Sequence, residues 1–184
     1  AVLQVHGTEG RWSEQEIHDL AVHPCVAAVS ICLPVRVAPD QRNFDPLWEA
    51  LQATGLPVLH RPTFCAQVWS PARLLTYLRL TGVFERFPGL RFAFRGADGA
   101  ADPAVLAGAR DGETAGRVFA IASDGGPAPD PQAAEAGGLL WASDFPLGRA
   151  LPDAVAHAEA VIGADRLRTV AANAGRFLAG RVLS

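Results

Sequence analysis

Three polar side chains stand where apolar, β-rich runs of the sequence give out. His60 closes the run Leu56 to His60, Arg95 follows Leu90 to Phe94, and Asp144 follows Leu139 to Ser143. If those runs are parallel strands, all three lie at strand C-terminal ends, where α/β barrels keep their reactive groups. There, Arg95 would anchor a carboxylate or an enolate. His60 and Asp144 would move a proton, provided burial and mutual charge tune their pKa values. Decarboxylation, dehydration and cyclisation all run on such proton transfer and oriented charge, with no cofactor. Around this set, His6 ends the first strand and would share the face of His60, while Arg61, Thr63 and Cys65 lie in the loop that follows, where barrel enzymes keep substrate contacts. Trp69, with Trp12 and Trp141, would line an apolar pocket for an aromatic or polyketide-like ligand.

Each of these residues has a plainer reading. His60 would be a structural histidine bonded at a strand end, and Asp144 a loop cap ahead of Phe145-Pro146. Arg95 would pair with Asp98 or Asp144, and Trp141 would pack in the core. His18, His23 and His157 are expected to face solvent. Gly96 and Gly99 lack the rest of a phosphate-loop fingerprint.

Positioning such residues requires alternating strands and helices, and the chain supplies that alternation. Strands are expected at Ala1 to His6, Cys25 to Leu33, Leu56 to His60, Leu90 to Phe94, Arg117 to Ala122 and Leu139 to Ser143. Ser13 with Glu16 three residues on has the form of a capping box opening a helix over Glu14 to Val22. Further helices are expected at Leu47 to Ala53, from Ser70-Pro71 to about Phe84, at Pro103 to Ala109, Asp153 to Ile162 and Asp165 to Leu178. The Gly, Pro, Ala and Asp rich stretch from Asp124 to Gly137 reads as a loop.

Composition narrows the classes of function. At 184 residues and 49% hydrophobic content the chain suits a single domain over 1–184. A net charge of −3 with scattered arginines argues against a nucleic-acid partner. No apolar run reaches the roughly 20 residues that cross a bilayer, and the first ten residues lack the pattern of a signal peptide, so a cytoplasmic protein is expected. The three cysteines form no CxxC pair and are expected to be reduced, two of them in the core. All 16 basic residues are arginine, which removes Schiff-base, carbamylated-lysine and lysine-base mechanisms. There is no methionine, so residue 1 need not be the native start.

The run Gly82-Val83-Phe84-Glu85-Arg86-Phe87-Pro88-Gly89-Leu90-Arg91-Phe92 resembles the helix-to-strand segment of the second amidohydrolase family, which includes aminocarboxymuconate semialdehyde decarboxylase and related aromatic-acid decarboxylases. Three further stretches match in order: Asp45-Pro46-Leu47-Trp48-Glu49-Ala50 with Gly55-Leu56-Pro57-Val58-Leu59-His60; Trp141-Ala142-Ser143-Asp144-Phe145-Pro146; and Asn173-Ala174-Gly175-Arg176-Phe177. The resemblance implies a partial TIM-like (β/α) barrel of about six parallel strands, matching the family's third to eighth and missing its first two βα units. It also places His60 on a metal-ligand histidine, and Asp144 on an aspartate that binds metal or handles a proton.

Two departures alter the implied chemistry. Arg95 replaces the sixth-strand histidine, and the first-strand His-x-His pair has no counterpart among five histidines that never fall two apart. Catalytic zinc usually takes three protein ligands plus water, and a nearby guanidinium opposes a divalent cation and favours an anion. The expectation is therefore a metal-independent lyase acting on a small aromatic or polyketide-derived acid. The alternatives are a hydrolase with His60 as base for water, and a non-catalytic scaffold or partner subunit. Convergence of His60, Arg95 and Asp144 on one pocket is what the lyase reading requires. An incomplete barrel also leaves strand edges open, and a homodimer or a local rearrangement would cover them.

Overall fold

The computed structural model describes residues 2–6, 10–33, 35–36, 38–61, 69–124, 126–129, 137–143 and 152–179, without the side chains of residues 6, 10–13 and 32. Six strands, β1 (Val2–His6), β2 (Ala28–Cys32), β3 (Val58–His60), β4 (Phe92–Arg95), β5 (Val118–Ser123) and β6 (Leu139–Ala142), form one parallel sheet. They lie side by side in chain order. Between and after them run α1 (Gly10–Ala21), a 3-10 turn (Arg42–Phe44), α2 (Asp45–Thr54), α3 (Pro71–Leu80), α4 (Val83–Arg86), α5 (Pro103–Arg110), α6 (Ala154–Ile162) and α7 (Ala164–Leu178).

That strand order decides where the helices go. Parallel crossovers are right-handed, so a sheet that always advances in one direction receives its connecting helices on one face and curls as a barrel wall does. The two apolar clusters follow this division. Val29, Val58, Phe92, Phe94, Val118, Ala120 and Leu139 pack with Ile17 of α1, Trp48 of α2, Leu74 of α3, Val105 of α5 and Ile162 of α6. Their strand neighbours Ala93, Phe119, Ile121 and Leu140 form a second cluster on the opposite side, with Leu59 and Ala142 against it. Alternate residues thus face helices or the barrel interior, and burial on both faces accounts for the nearly unbroken apolar runs.

The last helix belongs to both sides. Val170 and Leu167 of α7 join the helix-side cluster, whereas Ala174, Phe177 and Leu178 join the other. The helix therefore wraps the outer edge of β6. Buried Asn173 donates from Nδ2 to the Leu139 carbonyl at 2.9 Å, and Arg176 donates to the Gly137 carbonyl at 2.9 Å. Arg91, just before β4, donates from Nε to the Phe177 carbonyl at 2.9 Å. The bonds from Asn173 and Arg176 satisfy backbone acceptors at the β6 edge, and that from Arg91 ties the end of α7 to the start of β4. Edge covering at β6 is thus achieved by a local arrangement; among the described residues β1 remains an edge, with Val2 49% exposed.

Several boundaries differ from the sequence expectation. Helix α1 begins at Gly10, which places Ser13 inside the helix instead of at its cap. The long helix expected from Ser70 to Phe84 is two helices, because Gly82 adopts φ 70°, a left-handed conformation that a helix interior does not contain. Asp102 and Asp153 cap α5 and α6, each accepting from two backbone N–H groups. Gly138 sits so close to α5 that a Cβ there would meet Ala109 Cβ at 2.2 Å. Among the described residues no helix is long and apolar enough to cross a membrane.

Candidate functional site

Strand parity separates the residues picked out in the sequence. His60 lies beside Phe94 in the β3–β4 register, with the two rings in an edge-on contact 5.8 Å apart. Phe94 stacks on Phe92 in the helix-side cluster, so the His60 ring occupies the layer between sheet and helices and is 1% exposed. Arg95 is the next residue after Phe94 and projects from the opposite, barrel-interior face, where its Nη2 donates to Ser123 Oγ at 3.3 Å and its Nη1 to the Gly96 carbonyl at 3.3 Å. His60 and Arg95 therefore do not share a face.

What His60 does in its layer is well defined. Its Nε2 is 2.7 Å from the Trp69 carbonyl. A carbonyl only accepts, so Nε2 carries the proton and Nδ1 is the lone-pair nitrogen. Nδ1 is buried and lacks a hydrogen bond of ordinary geometry. Burial holds the imidazole below the ordinary histidine range, and the carbonyls of Trp69 and Ile31 only partly offset it. A neutral ring thus pins the chain at Trp69, whose amide also donates to the Leu33 carbonyl at 3.4 Å. The Trp69 indole, in turn, lies 4.9 Å from the Tyr77 ring and has the Arg73 guanidinium 4.9 Å above it. Tyr77 donates to Asp40, which with burial pushes the phenol up to about 12.

Half-buried Arg61 directly follows β3, one residue beyond the His60–Phe94 pair, as Arg95 follows Phe94 in β4. Next to Arg95 in the chain, a cavity of about 540 Å³ opens between the first turns of α3 and α5, lined by Trp69, Pro71, Gly96, Asp98 and Asp102. Its carboxylates are engaged locally: Asp98 accepts from the Ala100 amide at 3.0 Å, and Asp102 caps α5. Of the remaining expectations, Asp144, Thr63 and Cys65 lie outside the described residues, as do the side chains of His6 and Trp12; the His6 backbone pairs with Cys32 at the end of β1. Cys25 is exposed, and the side chains of Cys32 and Cys65, which would have to be the two core cysteines, lie outside the described residues.

The metal that the resemblance implies does not fit the described residues. His60 has committed Nε2 to a backbone carbonyl and faces the helix layer, and Arg95 brings positive charge to the interior face. Among the described residues no three His, Cys, Asp or Glu side chains gather to hold a metal ion.

Two residues that sequence reasoning passed over meet at the same end of the sheet. Asp124, directly after β5, has its amide bonded to the Ala142 carbonyl at 3.1 Å, and its Oδ1 lies 2.6 Å from Nε2 of His157 in the first turns of α6. The pair is mostly shielded, with 26% of the His157 and 12% of the Asp124 side chain exposed. The expectation that His157 faces solvent is corrected accordingly. Trp141, packed partly on the core, lies 6.3 Å from the His157 ring, and its indole N–H is buried without an acceptor among the described residues. The rule that pointed to Arg95, a polar residue closing an apolar run, applies equally to Asp124. For His157 no such signal exists, since α6 is alanine-rich and shows no clear polar face in its sequence.

Comparison with solved structures places this architecture. The chain is similar to an amidohydrolase from Mycobacterium avium subsp. paratuberculosis K-10 (TM-score 0.63, 18% identity, 96% of this chain and 57% of that one). It is also similar to 5-carboxyvanillate decarboxylase from Sphingomonas paucimobilis (TM-score 0.60, 18% identity, 90% and 62%) and to a 2,6-dihydroxybenzoate decarboxylase (TM-score 0.59, 14% identity, 90% and 66%). The chain has the fold of these proteins, as a partial barrel, and spans less than two thirds of their length. No family model matches the chain, and no curated protein matches it.

Proposed function

We propose that the chain is a shortened relative of the second amidohydrolase family, acting as a metal-independent lyase on a small aromatic or polyketide-derived acid, with decarboxylation the favoured reaction. The observation that carries this reading is the position of Arg95, at the C-terminal end of β4 on the barrel-interior face. A guanidinium at a strand end is a planar, always-charged anchor for a carboxylate. Because His60 does not converge with Arg95, this reading departs from the sequence expectation: His60 is a positioning residue that fixes Trp69 at the cavity wall, and proton handling is proposed for Asp144 alone. The likeness to decarboxylases of 5-carboxyvanillate and 2,6-dihydroxybenzoate supports an aromatic acid as substrate.

The test is titration of 2,6-dihydroxybenzoate and benzoate into the wild-type protein and Arg95→Gln, followed by tryptophan fluorescence and calorimetry. Loss of one charge-assisted anchor is expected to weaken binding by about 1.5–3 kcal/mol, or roughly ten-fold or more. Equal affinity in the two proteins would sink the anchor.

A second reading, a non-catalytic scaffold or partner subunit, draws support from the separation of His60 and Arg95 onto opposite faces. It predicts no binding of either acid. In both readings a second copy is proposed to cover the open β1 edge.

A further inference from the structure

Arg95 is gripped at both ends of its fork. Nη1 donates to the Gly96 carbonyl and Nη2 to Ser123 Oγ, each at 3.3 Å, so two separate acceptors fix the plane of the guanidinium. Gly96 lines the cavity of about 540 Å³, and its carbonyl also accepts from the Gly99 amide at 3.3 Å, which closes the turn after β4. Register pairs Arg95 with Ile121, so Ser123, two residues on, faces the same interior side, where it is 3% exposed. Its hydroxyl accepts from Arg95 and donates to the Gly99 carbonyl at 3.4 Å, and its amide donates to that same carbonyl at 2.9 Å. A hydroxyl has one proton, and with that proton turned to Gly99 its lone pairs are left to face Arg95. Glycine at 99 makes the arrangement possible: a Cβ there would meet Ser123 Oγ at 2.6 Å. Gly126 follows the same rule, since its Cβ would meet the Gly99 carbonyl at 2.5 Å, and its amide donates to the Ser123 carbonyl at 3.1 Å. The segments after β4 and β5 thus close backbone on backbone around Ser123.

We infer that Ser123 is a positioning residue for the acid-binding guanidinium, setting the plane in which Arg95 receives a carboxylate. The inference rests on the lyase reading, in which Arg95 is the anchor. A carboxylate meets a guanidinium edge to edge in a common plane, so whatever fixes the plane of Arg95 also fixes that of the bound acid. Ser123 acts on the acid through Arg95, and its effect on binding vanishes when the guanidinium is removed. A serine that only filled space at the end of β5 would act alike with or without Arg95.

The experiment is a double-mutant cycle on the full chain, with calorimetric titration of benzoate into the wild-type protein, Ser123→Ala, Arg95→Gln and the double variant. Ser123→Ala is expected to weaken binding about five-fold, the effect of one ordinary hydrogen bond. In the Arg95→Gln background the same change is expected to weaken it by less than about two-fold. Ser123→Cys keeps the bulk of the side chain but offers a weak acceptor, and should bind as Ser123→Ala does. Equal losses in both backgrounds, or wild-type affinity in Ser123→Cys, would assign Ser123 to packing alone and overturn the inference, as would wild-type affinity in Ser123→Ala. Each of these results leaves the anchor standing. Benzoate binding that is absent from the wild-type protein, or unchanged in Arg95→Gln, overturns the anchor and the inference with it.

Discussion

Replacing His60 by alanine tests the placement of this ring in the helix layer more directly than any activity assay. The substitution removes a side chain that is 1% exposed and packed against Phe94, and it strips the Trp69 carbonyl of its donor. A large-to-small change in a core costs about 2–4 kcal/mol, and a buried acceptor left unpaired about 1–3 kcal/mol. Part of the second figure is recovered by relaxation, so a total of about 3–5 kcal/mol is expected. The pH dependence is more specific. Burial lowers the pKa of the folded ring, so below about pH 6.5 the unfolded chain binds more protons than the folded one. The contribution of His60 to stability is full above that pH. It declines as the pH falls, by at most about 1.4 kcal/mol per unit, until the folded pKa is reached. Urea unfolding of both proteins from pH 5 to 8 should therefore show a difference that narrows on the acid side. A difference that stays constant with pH, or an overall cost below about 1 kcal/mol, would refute a buried neutral ring bonded to Trp69.

Three further outcomes are expected. Asp153→Ala removes the acceptor for the Val155 and Ala156 amides and should lower stability by about 1 kcal/mol in chemical denaturation. Phe177→Ala empties the contact with Phe119 on the interior face and should cost about 3–5 kcal/mol by the same measurement. Sedimentation at low micromolar concentration should show a dimer if a second copy covers β1, and a clean monomer would remove that proposal.

Most of the architecture was legible because its signals are local. Apolar runs bounded by Gly, Pro and Asp gave the six strands to within about two residues at most ends, and proline at the first turns of α2, α3 and α5 marked their starts. The motifs that carry the family resemblance turn out to serve the fold. Asn173 and Arg176 fasten α7 to β6, Arg91 ties the end of α7 to the start of β4, and Arg86 pairs with Asp45 across helices. The site was less legible because it depends on parity. Whether His60 faces helices or the interior turns on a single residue of register in a three-residue strand, which composition does not encode. Asp124 and His157 lie 33 positions apart, and their meeting needs the docking of α6 against the end of β5. At β6 the edge is covered by α7, the local arrangement that was one of the two expected remedies.

That wrapping helix also sets an order of assembly. Because every strand pairs with its predecessor in the chain, a growing polypeptide can lay the sheet down one strand at a time, each covered on the outside by the helix made with it. Among the described residues, the inner surface of Ala93, Phe119, Ile121 and Leu140 finds its helical companion in Phe177, with Ala174 and Leu178, near the end of α7. The interior face of the sheet thus gains these contacts only after all six strands have been made, and α7 acts as a latch on a sheet already laid down.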